Sequence, residues 1–384
     1  MKNNPTEAAV NVINLNVFFK EFTFNKSDFK GHQGELELAD HVVWLDELFF
    51  IYQIKDRLPG EKDDGQKWFK KKVIDKAVRQ IKNTLQYLGD YPDITIENNK
   101  GHKFNVAQAN LSDVKKLIIY TPGPNFPEET RNLKFYESRQ AGLIHLFHSE
   151  DYYWICRYLL TPAEVEEYLD FREDFYMAQP KVIIYFSEQY VLAHFLETLE
   201  VDHIEPAYIN NLKILDEVGA DFDMSGVIKN FTKQLTLVNS PTEYYAIIKE
   251  ISKLKRSELA EFKKRFIKAT EACKKDEVNL PYRIYVPRTD CAFVFIPLPK
   301  SKIQHWKTAL ANFTLAQKYD QKAKKSLGVV VFEDIVEDDR IFNLFWMFAE
   351  SEWVYEEEFE TLLRENFPFR KVSMQRINNR YKSK

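Results

Sequence analysis

One carboxylate, one amide and one ammonium fall close together near the start of the chain: Asp40, Gln53 and Lys55. A carboxylate beside a carbonyl oxygen suits a hard divalent ion such as Mg²⁺. A nearby lysine can hold a phosphate, help orient an attacking water, or neutralise charge in a transition state. Glu37 lies three residues before Asp40 and Glu35 five before, so either could supply a further metal oxygen or hold a water.

Such groups act together only if the backbone gathers them, and the stretch Gly34–Arg57 reads as the element that does so. His41 to Leu45 is rich in β-branched and aromatic residues and predicts a strand; Asp46-Glu47 predicts a tight turn, and Leu48 to Ile54 a second strand. Side chains alternate across a strand, so Gln53 and Lys55 share one face with Ile54 opposite. Asp40 then sits at the mouth of the first strand, across from the end of the second. Charged groups in otherwise apolar strands need a partner or a task. Glu35 to Ala39 reads either as the end of a short helix or as a loop entering the strand.

The pattern resembles the PD-(D/E)xK nuclease superfamily: an acidic residue on a first helix, an Asp starting a strand, then (Asp/Glu/Gln)-x-Lys on the next strand. The matching residues are Glu37 or Glu35, Asp40, and Gln53-Ile54-Lys55. The Gln variant is similar to that of Mrr-type restriction endonucleases, and a neutral amide is a weaker metal ligand than a carboxylate. The resemblance covers roughly residues 15–190. It implies a restriction-endonuclease-like mixed sheet flanked by helices, with Mg²⁺ or Mn²⁺ as cofactor. It also implies that Asp40 and either the Gln53 side-chain carbonyl or the Ile54 backbone carbonyl hold the metal. Lys55 would position or activate water, and Glu37 or Glu35 would complete the site.

The net charge of −4 hides an uneven distribution. From Gln53 to Lys82 there are ten Lys/Arg against five Asp/Glu, a local excess beside the candidate site of the kind a phosphate backbone needs. Trp68 to Leu88 predicts a helix, with Val73, Ile74, Ala77, Val78, Ile81, Leu85 and Leu88 at helical spacing. Lys72, Lys76, Gln80, Asn83 and Tyr87 share the adjoining polar side. Members of the family often lend a Gln or Tyr from this helix to the site, which makes Gln80 the candidate auxiliary residue. Lys72, Lys76, Arg79 and Arg57 are the candidate phosphate contacts. Leu58 to Gly65, with Pro and two Gly, predicts a flexible loop.

The remaining expectations follow the chain. Residues 1–13 read as a loose arm, and the phenylalanines between Leu15 and Phe29 as core. Asp93–Ala107 predicts a hairpin turning at Asn98–Gly101; Val114–Tyr120, Leu143–Phe147 and Lys181–Phe186 predict strands. Thr161-Pro162-Ala163-Glu164 predicts an N-cap opening a helix through Phe171. His145 and His148 lack a nearby Cys or third His and read as strand-end residues. Tyr190–Leu199, Glu243–Leu254 and Ser257–Cys273 pattern as helices. Beyond 279, Tyr282–Val286, Cys291–Ile296 and Leu327–Phe332 predict strands, while Ser301–Tyr319, Phe342–Ala349 and Glu356–Glu365 predict helices. Twelve acidic and two basic residues lie between Val329 and Asn366, a composition that repels DNA and suits a partner protein.

Three cysteines, odd in number and far apart, fit a reducing cytoplasm better than a disulfide scaffold or zinc site. No apolar run approaches transmembrane length, and the N-terminus lacks a signal core. Phosphate-cradling Gly-rich loops, a nucleophile elbow and paired Cys-x-x-Cys motifs are all missing. The expected organisation is a nuclease-like domain over 1–189, a helical connection over 190–278 and an α/β module over 279–384. The expected activity is metal-dependent hydrolysis of phosphodiester bonds in DNA, with restriction or defence as its natural setting. The rival is a nuclease fold kept only to bind nucleic acid or a protein. Homo-oligomerisation stays open under both.

Overall fold

The computed structural model describes residues 5–25, 27–32, 34–58, 60, 64–215, 224–229, 240–275, 277–336 and 339–371. The chain forms two compact units that divide near residue 216.

The first unit opens with helix α1 (Pro5–Val17), followed by strands β1 (Thr23–Phe24), β2 (Asp28–Gly31), β3 (Gly34–Glu37), β4 (His41–Leu45) and β5 (Leu48–Asp56). Next come α2 (Gly65–Phe69), a π-helical segment (Lys70–Ala77) and α3 (Val78–Asp90). A small hairpin, β6 (Thr95–Glu97) and β7 (Lys103–Asn105), leads to β8 (Lys115–Thr121), the one-turn α4 (Glu128–Arg131), β9 (Phe135–Ser138) and β10 (Gly142–His148). Helices α5 (Ser149–Leu159), α6 (Pro162–Ala178) and α7 (Glu188–Glu197) complete the layer. The main sheet has six strands in the order β1-β4-β5-β8-β10-β9. Strands β5, β8 and β10 are parallel, and the outer pairings are antiparallel, so the unit is a mixed sheet flanked by helices.

The central strands are buried on both faces, as parallel strands covered by helices must be. One face of the sheet carries Ile118, Tyr120, Ile144 and Leu146 beneath Trp68, Phe69, Val73, Ala77 and Ile81. On the other, Tyr52 meets Tyr152 of α5, and the Tyr152 hydroxyl donates to Asn14 Oδ1 of α1 at 2.7 Å. Helix α6 starts as its sequence dictates: the Thr161 hydroxyl accepts from the Glu164 N–H at 3.2 Å and Pro162 opens the first turn. It runs to Ala178, past the expected end at Phe171.

Five local expectations are corrected. The supposed arm is helical from Pro5, and Glu35 lies in a strand. Trp68–Leu88 is interrupted by π-helix, and Ile183–Tyr185 forms a 3-10 turn instead of a strand. Phe342–Ala349 belongs to a strand in the second unit, not a helix. Half of the loop expected over Leu58–Gly65 falls outside the described residues, and Gly65 opens α2.

The second unit contains a four-stranded sheet in chain order: β11 (Tyr282–Val286), β12 (Cys291–Pro297), β13 (Lys325–Val336) and β14 (Asp339–Glu350). Only β12 and β13 are parallel. The helix Arg256–Cys273 lays Phe262 against Phe293 and Phe295, with ring centroids 5.4 and 4.9 Å away. The helix Trp306–Asp320 covers the opposite face. It comes so near β13 that a Cβ on Gly328 would lie 1.9 Å from Thr314 Oγ1. The three cysteines are buried and free. Among the described residues, no helix is long and apolar enough to cross a membrane.

Candidate active site

Strand β4 begins at His41, opposite Tyr52, so β5 runs on beyond its antiparallel neighbour. Past that point the β5 backbone groups facing β4 need other partners. Asp40 supplies one: its Oδ2 accepts the Ile54 N–H at 2.5 Å. Lys55 supplies another, its ammonium donating to the Ile54 carbonyl at 3.0 Å. The same ammonium donates to Asp40 Oδ2 at 2.9 Å and to Gln53 Oε1 at 3.0 Å. All three N–H donors of Lys55 are thereby satisfied. The Lys55 and Asp40 side chains are 11% and 15% exposed, and Gln53 is buried. The structure therefore brings together Asp40, Gln53, Ile54 and Lys55 as the strand alternation predicts.

Asp40 is held from behind by two buried hydroxyls. Ser27 brackets Ala39, donating through Oγ to its carbonyl and accepting its N–H at 3.0 Å, while the Ser27 carbonyl accepts the Leu38 N–H at 2.9 Å. Thr84 of α3 donates to the Leu38 carbonyl. This irregular backbone before β4 has its polar groups paired, which fixes the register at which Asp40 meets β5.

Two further acids feel this centre. Glu7, in the first turn of α1, has its carboxyl raised by burial and by the charges of Asp40 and Glu37, against the pull of Lys55. Glu37, at the end of β3, is raised by partial burial and by Asp40 and Asp28, with Lys55 and Lys76 pulling the other way. Glu35 pairs across the β2–β3 hairpin with Lys30 and is not among the charges acting on either group. Glu7 is carried on helix α1, and both glutamates expected from sequence, Glu35 and Glu37, stand on strand β3. The clue was present as an acid in the first turn of an N-terminal helix, but only once that helix is recognised.

Gln53 and Lys55 pair in register with Ile118 and Tyr120, so they share the face covered by the helix that follows β5. That helix carries Lys72, Lys76, Arg79 and Gln80. Lys76 reaches the site's field through Glu37, as noted. Lys72 is half-buried, Lys76 and Arg79 are exposed, and none of the three joins an ion pair among the described residues. Gln80 Oε1 is buried without a hydrogen-bond partner among the described residues, one turn from the Thr84 contact with Leu38. Arg57 turns to the loop after β8, donating to the Pro122 carbonyl at 3.4 Å. Tyr87 packs on Phe29 and Tyr91 in an aromatic cluster.

The two histidines spaced His-x-x-His do not form a pair. His145 is fully buried, with its Nε2 2.7 Å from Glu173 Oε1 and its Nδ1 3.2 Å from Arg172 Nη1. His148 ends β10 and caps α5, its Nδ1 accepting the Glu150 N–H at 3.2 Å.

The donors converging beside β5 are hard oxygens: a carboxylate, an amide carbonyl and a backbone carbonyl. In kind they fit Mg²⁺ or Mn²⁺. Like-charge crowding at Glu7 and Glu37 is also what a cation relieves. Among the described residues, however, no three His, Cys, Asp or Glu side chains cluster as a metal site. No family model matches the chain, and neither a curated protein nor a solved structure matches it.

Proposed function

We propose that the first unit is a divalent-metal-dependent nuclease with a restriction-endonuclease-like core, hydrolysing phosphodiester bonds in DNA. The observation that carries this reading is the convergence of Asp40, Gln53, Ile54 and Lys55 at the open edge of β5, with Glu7 and Glu37 alongside. Asp40, with the Gln53 or Ile54 carbonyl, would hold Mg²⁺ or Mn²⁺. The ion, when bound, polarises a phosphoryl oxygen and makes bound water more acidic. Lys55 neutralises charge building on the phosphate. Glu7 or Glu37 orients the attacking water, and Gln80 lends an amide. Lys72, Lys76, Arg79 and Arg57 contact neighbouring phosphates, which sets the position of the duplex without reading its sequence. The acidic stretch of the second unit would serve a protein partner, and defence against foreign DNA is a setting consistent with both units.

Asp40→Ala tests the chemistry. The variant should fold, because the Ile54 N–H it frees lies past the end of β4 and outside the sheet ladder, and it should lose cleavage of DNA in Mg²⁺ or Mn²⁺. Full activity in the folded variant sinks the assignment, and activity on RNA alone redirects the substrate. A second reading is favoured by one observation: Lys55 already occupies all three oxygens. It makes the unit a metal-free nucleic-acid-binding module. That module would bind no divalent ion and keep its DNA affinity in Lys55→Ala.

A further inference from the structure

We propose that Lys55 is an internal counter-ion that a divalent metal ion must displace, so that the oxygen cradle holds either the ammonium or the metal but never both. The proposal rests on the nuclease reading for the identity of the ion, and its geometry stands apart from it.

The three oxygens suited to a metal are the three that hold the ammonium. Asp40 Oδ2, Gln53 Oε1 and the Ile54 carbonyl lie 2.9, 3.0 and 3.0 Å from Lys55 Nζ. A tetrahedral ammonium has three donors and here spends them all on that set. A hard divalent ion would use the same oxygens at about 2.1 Å, with twice the charge. The ammonium and the ion compete for the same lone pairs, and their mutual repulsion at so short a separation favours one occupant at a time. The surroundings favour exchange. Glu7 and Glu37 remain crowded with Lys55 in place, and its pull on each is weaker than the opposing effects of burial and Asp40. Gln53 matters in the same way, since a carboxylate there would bind the ammonium as an ion pair and resist release. Once freed, the ammonium stays on a flexible four-carbon stem beside the site, positioned to meet an incoming phosphate.

The exchange predicts that removing the ammonium improves metal binding. Calorimetric titration of the full chain with Mn²⁺ should show at least about tenfold tighter binding in Lys55→Met than in the wild type. Lys55→Met binding equal to or weaker than wild type overturns the proposal, because the ion would then sit elsewhere, on the other Asp40 oxygen for example. Absence of Mn²⁺ binding in both proteins overturns it as well. Should Lys55→Met not fold, the wild type answers instead. Acylation of lysines, read by mass spectrometry, should rise at Lys55 when Mn²⁺ is added and stay constant at Lys264, whose side chain is 59% exposed. Unchanged Lys55 reactivity in saturating Mn²⁺ overturns the exchange. Tight Mn²⁺ binding by Lys55→Met from a wild type that cleaves no nucleic acid would refute the nuclease reading and leave the exchange standing.

Discussion

Asp40 is the charge that Glu7 and Glu37 both feel most strongly. After burial it is the largest influence on both Glu7 and Glu37, and it holds each carboxyl above its ordinary range. Removing its charge should let both protonation midpoints fall toward the value of a free glutamate. Carboxyl-carbon NMR titrations of wild type and Asp40→Asn would measure this, since the substitution keeps the side chain's shape. Midpoints that stay put would mean that burial alone sets them and that the three acids do not form one electrostatic unit. Ser27 and Thr84 act at this scale too. Neither touches the site's oxygens, yet each ties backbone that leads to Asp40. Their hydroxyls are replaceable in hydropathy and irreplaceable in geometry.

The helix after β5 is the crossover between two parallel strands, and parallel crossovers are right-handed. Chain chirality, not local charge, therefore decides that Lys72 and Lys76 lie over the face carrying Gln53 and Lys55. If both lysines meet phosphates, each releases about one counterion. The slope of log affinity against log salt should then flatten by roughly one to two in Lys72→Ala/Lys76→Ala. Lys263→Ala/Lys264→Ala, in the second unit, should leave the slope nearer the wild-type value. Equal slopes for wild type and the Lys72/Lys76 variant would make this helix merely solvated. The same elements show what a sequence can disclose. The β4–β5 hairpin is legible because two runs rich in β-branched and aromatic residues flank a two-residue turn, with Asp46 in the left-handed region. Helix α1 is not legible, because two of its four buried residues are the polar Thr6 and Asn14, which hydrogen-bond residues more than a hundred positions away. Nor is β14: Ile341–Ala349 is apolar at nearly every position, and only pairing with β13 decides its conformation. The π-helical segment has no signature in hydrophobic period, since its one-residue offset leaves Val73 and Ala77 on the buried side.

At the scale of the first unit, stability rests partly on polar groups sealed inside. Arg172 is fully buried between the rings of Phe135 and Phe147, with its guanidinium carbon 4.7 and 4.0 Å from their centroids. It bonds both oxygens of Glu188, at 2.7 and 3.1 Å. Burial alone would raise the Glu188 carboxyl, but Arg172 and Lys134 overcome it and bring it down to about 2. His41 and His145 are buried neutral, and burial pushes each imidazole down to about 4. The unfolded chain protonates these imidazoles near pH 6.5, before the folded chain does. Stability should therefore be full above that pH and fall as pH drops toward 4, by up to about 2 kcal/mol per imidazole at pH 5. The Glu188 contribution persists to lower pH and is lost between about 4 and 2. Urea denaturation at pH 7, 5 and 3 would reveal both stages; a flat profile from 7 to 5 would mean the imidazoles take up protons within the fold. The docking of α1 has a further consequence, in time. Thr6 bonds Thr121, which bonds Ser149, and Asn14 bonds Tyr152. During synthesis α1 can meet Asp56 of β5 early, but its bonds to Thr121 and Tyr152 wait until those residues have followed. At ordinary elongation rates that wait is on the order of ten seconds. Glu7 travels with that helix, so this acid is fixed in the field of Asp40 and Lys55 only once α1 has all its anchors.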